Sequence, residues 1–289
     1  MTEHTVADVR RVAEDLWPVA TAEGWDRVGL ASGADAAPLR RVLLAVDAVA
    51  ATVDEALSWG ADALFTHHPL MLRGVHTVAE DTAKGALLAR LIRGGCALYS
   101  AHTNADQPEG GVSAVIAERL GLREVEAIVP AEAPRSGEVF GIGRVGSLPA
   151  PTALYDVAER VATILPATVS GVRVAGDPER RVQRVALLGG AGDSLLDHPA
   201  VRAADVYLTS DLRHHPAQES LELSAAAGGP ALIDVAHWAS ESLWLEGAAQ
   251  HLAARLPGVE FRVSTLRTDP WSFSVGSAPD GGASVGASS

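Results

Sequence analysis

The chain has 289 residues, 47% of them hydrophobic and 20% charged, a composition that supports a soluble core large enough for two packed lobes. No apolar run reaches the roughly 18 residues a membrane helix needs, and MTEHTVADVRRVAEDL lacks the apolar stretch of a secretory signal, so no membrane association is expected and the expected compartment is the cytoplasm. A formal net charge of −13 without a dense Lys/Arg run argues against nucleic-acid binding.

Apolar, β-rich runs alternate with helical patterns along the first part of the chain. Strands are expected at RVLLAVD (41–47), ALFTHH (63–68) and ALYSAH (97–102), with helices over 51–59, 82–94 and 111–121. That alternation is the signature of βαβ units and a largely parallel sheet. A second set follows Pro130: FGIGRVGSL, a helix near 152–165, VALLGG (185–190), DVYLT (205–209), ALIDVAH (231–237) and EFRVST (260–265). The Gly/Ser/Ala-rich stretch over 275–289 has too little apolar surface to order itself and reads as a disordered tail. The lone cysteine, Cys96 in CALYS, reads as a buried structural thiol.

Two segments echo one another: RRVLLAVD…GADALFTHHP and QRVALLGG…AADVYLTSDLRHHP. Both run strand, helix, strand, then His-His-Pro. Duplication of a half-fold explains this, and so does chance similarity of two βαβ units.

Three loops carry the candidate chemistry. His67 and His68 directly follow an apolar strand; adjacent histidines taken alone are more often polar loop residues than ligands. His102 and Asp106 stand in SAHTNAD after the next strand, where an Asx turn or an N-cap for the helix near Val112 is the plainer explanation of Asp106. His237 and Glu241, four residues apart at the start of a helical run, share one helix face and suit one ion. The bland alternative is a helix capped by Ser240 or Asp234, with Glu241 serving the helix dipole.

Each of these residues lies just past the carboxyl end of an expected strand, the edge at which open parallel sheets place ligands. Three imidazoles (His67, His68, His237) and two carboxylates (Asp106, Glu241) exceed the four donors of one zinc site and suit two divalent ions. Zinc, manganese and iron all accept such a set. The four cationic charges exceed the two carboxylates, which points to a phosphate-like ligand. His102, His214 and His215 are candidates for proton transfer or phosphate contact, against the reading that they are surface or supporting residues. Arg213 is a further phosphate candidate that is equally well a solvated charge.

These residues, with WDRVGL (25–30), THHP (66–69), SAHTNAD, GIGRVGSL (141–148), TSDLRHH (209–215) and AHWASE, resemble the GTP cyclohydrolase I type 2 family, also called Nif-three-like proteins. The resemblance runs from about Trp25 to Leu252 and leaves no room for the inserted domain of longer members. It implies two similar α/β lobes with mostly parallel sheets and a dinuclear metal site in the cleft between them. One lobe would comprise 1–128 with 230–274, the other 129–229. It also implies a toroidal hexamer, the five ligands named above with Glu241 bridging, and a phosphorylated small molecule or nucleotide as ligand. In the reaction that names the family, water opens the guanine imidazole ring of GTP and formate leaves. A non-enzymatic metal-dependent scaffold or regulator, and a nucleotide phosphatase or phosphodiesterase, are the alternatives. The chain departs from the family pattern at Ala236 and Ser210, where glycine is usual, and at Arg27, where asparagine is usual.

Overall fold

The structure, a computed structural model, describes residues 3–131 and 139–275; the expected tail lies, beyond Val275, outside the described residues. Two mixed sheets organise the chain. The five-stranded sheet runs in the order Glu260–Val263, Arg41–Ala45, Ala63–Thr66, Ala97–Ser100, Gly29–Ser32. Its neighbours are parallel except at Gly29–Ser32, which pairs antiparallel with Ala97–Ser100. The six-stranded sheet runs Val172–Ala175, Ala231–Val235, Val206–Ser210, Arg181–Ala191, Arg144–Ala153, Arg123–Glu126.

Strands buried on both faces explain the continuous apolar runs. Ala63–Thr66, Val206–Ser210 and Ala231–Val235 are buried at every position, as expected where helices or a second sheet cover both sides. Alternation then sorts the side chains. Leu43, Leu64 and Leu98 point to an outer cluster with Val53, Ala56 and Leu91 of the helices Ala50–Trp59 and Ala83–Arg93. Leu44, Phe65 and Tyr99 point the other way, into a cluster that also holds Leu187, Leu208 and Ile233 of the six-stranded sheet. The inner faces of the two sheets therefore contribute to one core, completed by Ile116 and Trp244.

Two expectations need correction. The sheets are not both mostly parallel: in the six-stranded sheet three of five pairings are antiparallel. A parallel neighbour requires a crossover connection, and no helix is described between Arg123–Glu126 and Arg144–Ala153, which pair antiparallel. Nor does the segment 230–274 stay with the first sheet. Ala231–Val235 pairs in register with Val206–Ser210 of the six-stranded sheet, and only Glu260–Val263 returns to the five-stranded one. Among the described residues no helix is long and apolar enough to cross a membrane.

Candidate metal centre

The ends of the strands place the donors. Beyond Thr66 the backbone keeps its ladder, with the N–H groups of His67 and His68 donating to Ala45 O (3.1 Å) and Val46 O (2.8 Å). Two adjacent imidazoles are thereby fixed at one sheet edge, their rings 5.2 Å apart. The next strand runs into the short helical turn Thr103–Asp106, preceded by His102 and ended by Asp106. The strand Ala231–Val235 runs into the helix His237–Ser242, which carries Glu241 one turn after His237. The capping alternatives fail: the cap residues Gly111 and Ala236 make no side-chain cap bond, and Asp234 instead receives Leu212 N–H and pairs with Arg173.

Each of four imidazoles is tethered through Nδ1. His67 Nδ1 donates to Ala101 O (2.9 Å), His68 Nδ1 to Asp47 (2.7 Å), His237 Nδ1 to Asp211 (2.7 Å) and His102 Nδ1 to Asp26 (2.9 Å). An oxygen acceptor at Nδ1 selects the tautomer with its proton there and leaves Nε2 as a lone-pair donor. The Nε2 atoms of His67, His68 and His237 then converge on two carboxylates. Glu241 Oε1 lies 2.8 Å from His237 Nε2 and 3.6 Å from His67 Nε2, and its Oε2 lies 2.9 Å from His68 Nε2. Asp106 Oδ1 lies 3.7 Å from His67 Nε2, and the Nε2 atoms of His68 and His237 face each other at 3.3 Å. His67, His68 and His102 form one group with metal-binding spacing, and His68, His237 and Glu241 a second.

This donor set fits metal ions. His67 Nε2 and Asp106 Oδ1 are buried without a hydrogen-bond partner among the described residues, a costly arrangement unless something else satisfies them. Gly190 sits against the cluster with φ +78°, and a Cβ there would stand 2.6 Å from Glu241 Oε1. Glycine thus keeps open the space beside the carboxylate.

The charges support one another. Burial opposes the Glu241 carboxylate, yet His68, His237 and His67 hold it well below the usual carboxylate range. Burial also opposes charge on His237, but Glu241 and the Asp211 hydrogen bond raise the imidazole to about 10. His68 is raised well above its usual range by Glu241 and Asp47 against the same cost. Asp106 differs: burial pushes its carboxyl up to about 7. A cluster that stabilises positive charge this strongly is suited to cations, whether protons or metal ions.

The cluster lines a cavity of about 870 Å³. His68, His102, Asp106, His237 and Glu241 all face it, and His67 is fully buried behind them. His214 and His215 do not join them. Both are exposed at the start of the helix His214–Ala227, their rings meeting edge-on at 5.2 Å, and neither is among the residues lining the cavity. Asp211, at φ 57°, turns the chain away before reaching them. Arg213 is an exposed charge paired with Asp193 at 2.6 Å. Ala236 adopts an ordinary extended conformation, so no glycine is needed there, and Ser210 is buried beside Ser240. Arg27 donates to the carbonyl of Asp26.

Sequence reading missed the tethers Asp26, Asp47 and Asp211. Their signal was present: Asp47 ends RVLLAVD, Asp211 lies in TSDLRHH and Asp26 in WDRVGL. A carboxylate that acts on a histidine distant in the chain has no spacing to betray it. His68 and Asp47 are 21 residues apart, His102 and Asp26 76.

Fold and site together define a mixed α/β protein whose strand ends gather imidazole and carboxylate donors able to bind metal. The chain belongs to the Duf34/NIF3 (NGG1p interacting factor 3) family, whose sequence profile matches residues 4–270. It is 47% identical over 280 residues to the GTP cyclohydrolase 1 type 2 homolog of Streptomyces coelicolor, covering 95% of this chain and 96% of that one. The protein of the same name from Mycobacterium leprae is 35% identical, with 93% and 95% covered. Among solved structures, a Bacillus cereus protein related to NIF3 superposes with a TM-score of 0.84 at 24% identity, covering 95% of this chain and all of that one. A Staphylococcus aureus protein gives 0.81 at 25% identity, with 93% and 99% covered.

Proposed function

We propose that the protein is a dinuclear metal-dependent hydrolase, its two sheets forming two lobes with the metal site between them. The observation that carries this reading is the convergence of Nδ1-tethered imidazoles on Glu241 and Asp106, with His67 Nε2 and Asp106 Oδ1 buried and unpaired. His67, His68, Asp106, His237 and Glu241 would hold the ions. Divalent cations held there supply Lewis acidity and hydroxide near neutral pH. His102, held by Asp26 and open to the cavity, moves a proton at Nε2. The names of the relatives direct the first choice of substrate to GTP or a related nucleotide, with ring opening and formate release as the reaction. A cavity opening directly onto the donors favours this over a purely scaffolding role. The same reading takes the protein to be cytoplasmic and a homo-hexamer.

Elemental analysis of purified protein is expected to find two divalent ions per chain, and Glu241→Gln to lose at least one with unchanged circular dichroism. Full occupancy in the variant contradicts the site. A screen of GTP and other nucleotides with wild type and His67→Ala side by side tests the chemistry; turnover that survives the substitution belongs elsewhere.

A further inference from the structure

Three indoles, those of Trp25, Trp238 and Trp271, line the cavity beside the donors: Trp25 meets the His102 ring edge-on at 5.9 Å, Trp238 follows His237, and Trp271 lies three residues past Thr268, whose hydroxyl donates to Asp47. Trp25 is 56% and Trp271 63% exposed. Indoles left open at a concave site are surfaces on which a planar ring can stack.

The electrostatics of the same cavity are unfavourable to phosphate. Among the described residues six carboxylates line it, those of Glu23, Asp47, Asp106, Asp211, Glu241 and Asp269. Arg173 is the only arginine or lysine among the described residues of the lining, and its guanidinium is paired with Asp234. Two divalent ions bring four positive charges and Arg173 a fifth, so the filled cavity has no positive surplus. A proton on His102 does not change this, because buried Asp26 offsets it. The surplus of two counted from Asp106 and Glu241 alone is cancelled by the tethers Asp47 and Asp211, which the sequence did not reveal. The net charge of −13 on the chain acts in the same direction.

We propose that this cavity recognises an uncharged, planar nitrogen heterocycle of the nucleobase or nucleoside class through Trp25 and Trp271, and discriminates against the phosphate chain of a nucleotide. The proposal rests on the metal-centre reading above but departs from GTP as the first choice of substrate, moving the ligand to the phosphate-free relatives of a nucleotide.

The test is calorimetric titration of the metal-loaded protein with guanosine, GTP and inorganic triphosphate at low and high chloride, with tryptophan fluorescence as a second readout and metal content measured on the same samples. Guanosine is expected to bind and quench fluorescence with little dependence on salt. GTP is expected to bind at least about ten-fold more weakly at low salt and to gain as salt screens the acidic wall, and triphosphate to give no heat. Trp25→Ala and Trp271→Ala are each expected to weaken guanosine about ten-fold, the scale of a lost base-aromatic stack, with the metal content unchanged. GTP or triphosphate binding more tightly than guanosine overturns the proposal, as does the absence of guanosine binding. A deficit of metal counts against the metal-centre reading alone. It leaves the ligand ranking in force, because the carboxylates are then less compensated still.

Discussion

Asp62 and Asp205 occupy the same place in two copies of one structural unit. Asp62 Oδ2 accepts the backbone N–H groups of Arg40 and Arg41 at 2.7 and 2.9 Å; Asp205 Oδ2 accepts those of Gln183 and Arg184, both at 2.8 Å. Each aspartate also donates its own N–H to the preceding strand, at Arg41 O and Arg184 O, and accepts from the first residue of the next, Ala97 and Ala231. Both third strands then run into Ala-His, with an acid four residues on: His102 and Asp106 in one, His237 and Glu241 in the other. The candidate donors thus stand at matching positions of two similar strand–helix–strand segments.

Loss of either aspartate side chain removes an acceptor shared by two backbone donors. Asp62→Ala and Asp205→Ala are each expected to lower stability by about 1 kcal/mol. The effects should add in the double variant, since the two sites lie in different sheets. Urea denaturation midpoints measure this. A shift in one variant and none in the other shows that the two positions are not equivalent.

The tethers at Nδ1 give a separate prediction. Asp47→Asn and Asp211→Asn keep the shape but weaken the hold on His68 and His237. Carboxylates in this position typically account for 10–100-fold in metal affinity. Chelator competition is expected to show a loss of that order in each variant while the fold, followed by circular dichroism, is unchanged. Equal affinity in wild type and variants means that the imidazoles are held in place by packing alone.

What the sequence revealed and what it hid follow from the range of the interactions. The strands and helices around residues 41–121 were legible because their apolar runs and helical spacing are local properties. The five candidate donors stood out in the sequence because each lies within a few residues of a strand end. The membership of Ala231–Val235 was not, since the choice of sheet is settled by pairing with Val206–Ser210 and leaves no mark inside the strand itself. The helix Val6–Leu16 went unread, although its capping box of Thr5 and Asp8 stands in the sequence. His214 and His215 misled because His-His-Pro occurs at both ends of the echo. His67 directly follows its strand, whereas His214 stands four residues past Ser210 and lies exposed at the start of a helix.

Gly190 tests the space beside Glu241. With φ +78° and only 2.6 Å to Oε1, alanine here meets both backbone strain and a clash with the carboxylate. Left-handed conformation alone costs roughly 1–2 kcal/mol. Gly171→Ala is the matched control, since φ is +59° there and nothing stands within 4 Å. Both variants are expected to lose stability to a similar degree from strain, while only Gly190→Ala loses metal. If both retain two ions per chain, the space at Gly190 is not needed by the centre.

Asp26 makes a prediction about pH. Burial opposes its ionisation, but the hydrogen bonds from His102 and Thr103 hold its carboxyl far below the usual carboxylate range. A carboxyl that titrates near 3.9 in the unfolded chain and lower in the folded one binds its proton more readily when unfolded. Its contribution is therefore fully present above about pH 4 and is lost as the pH falls below that value. Asp26→Asn is expected to cost about 2 kcal/mol, the scale of hydrogen bonds to a charged group. The difference from wild type should stay constant from pH 8 to 5 and shrink on further acidification, as wild type itself becomes protonated. Denaturation measured across that range decides the matter: a difference that widens in acid reverses the sign and removes Asp26 as the anionic anchor of His102.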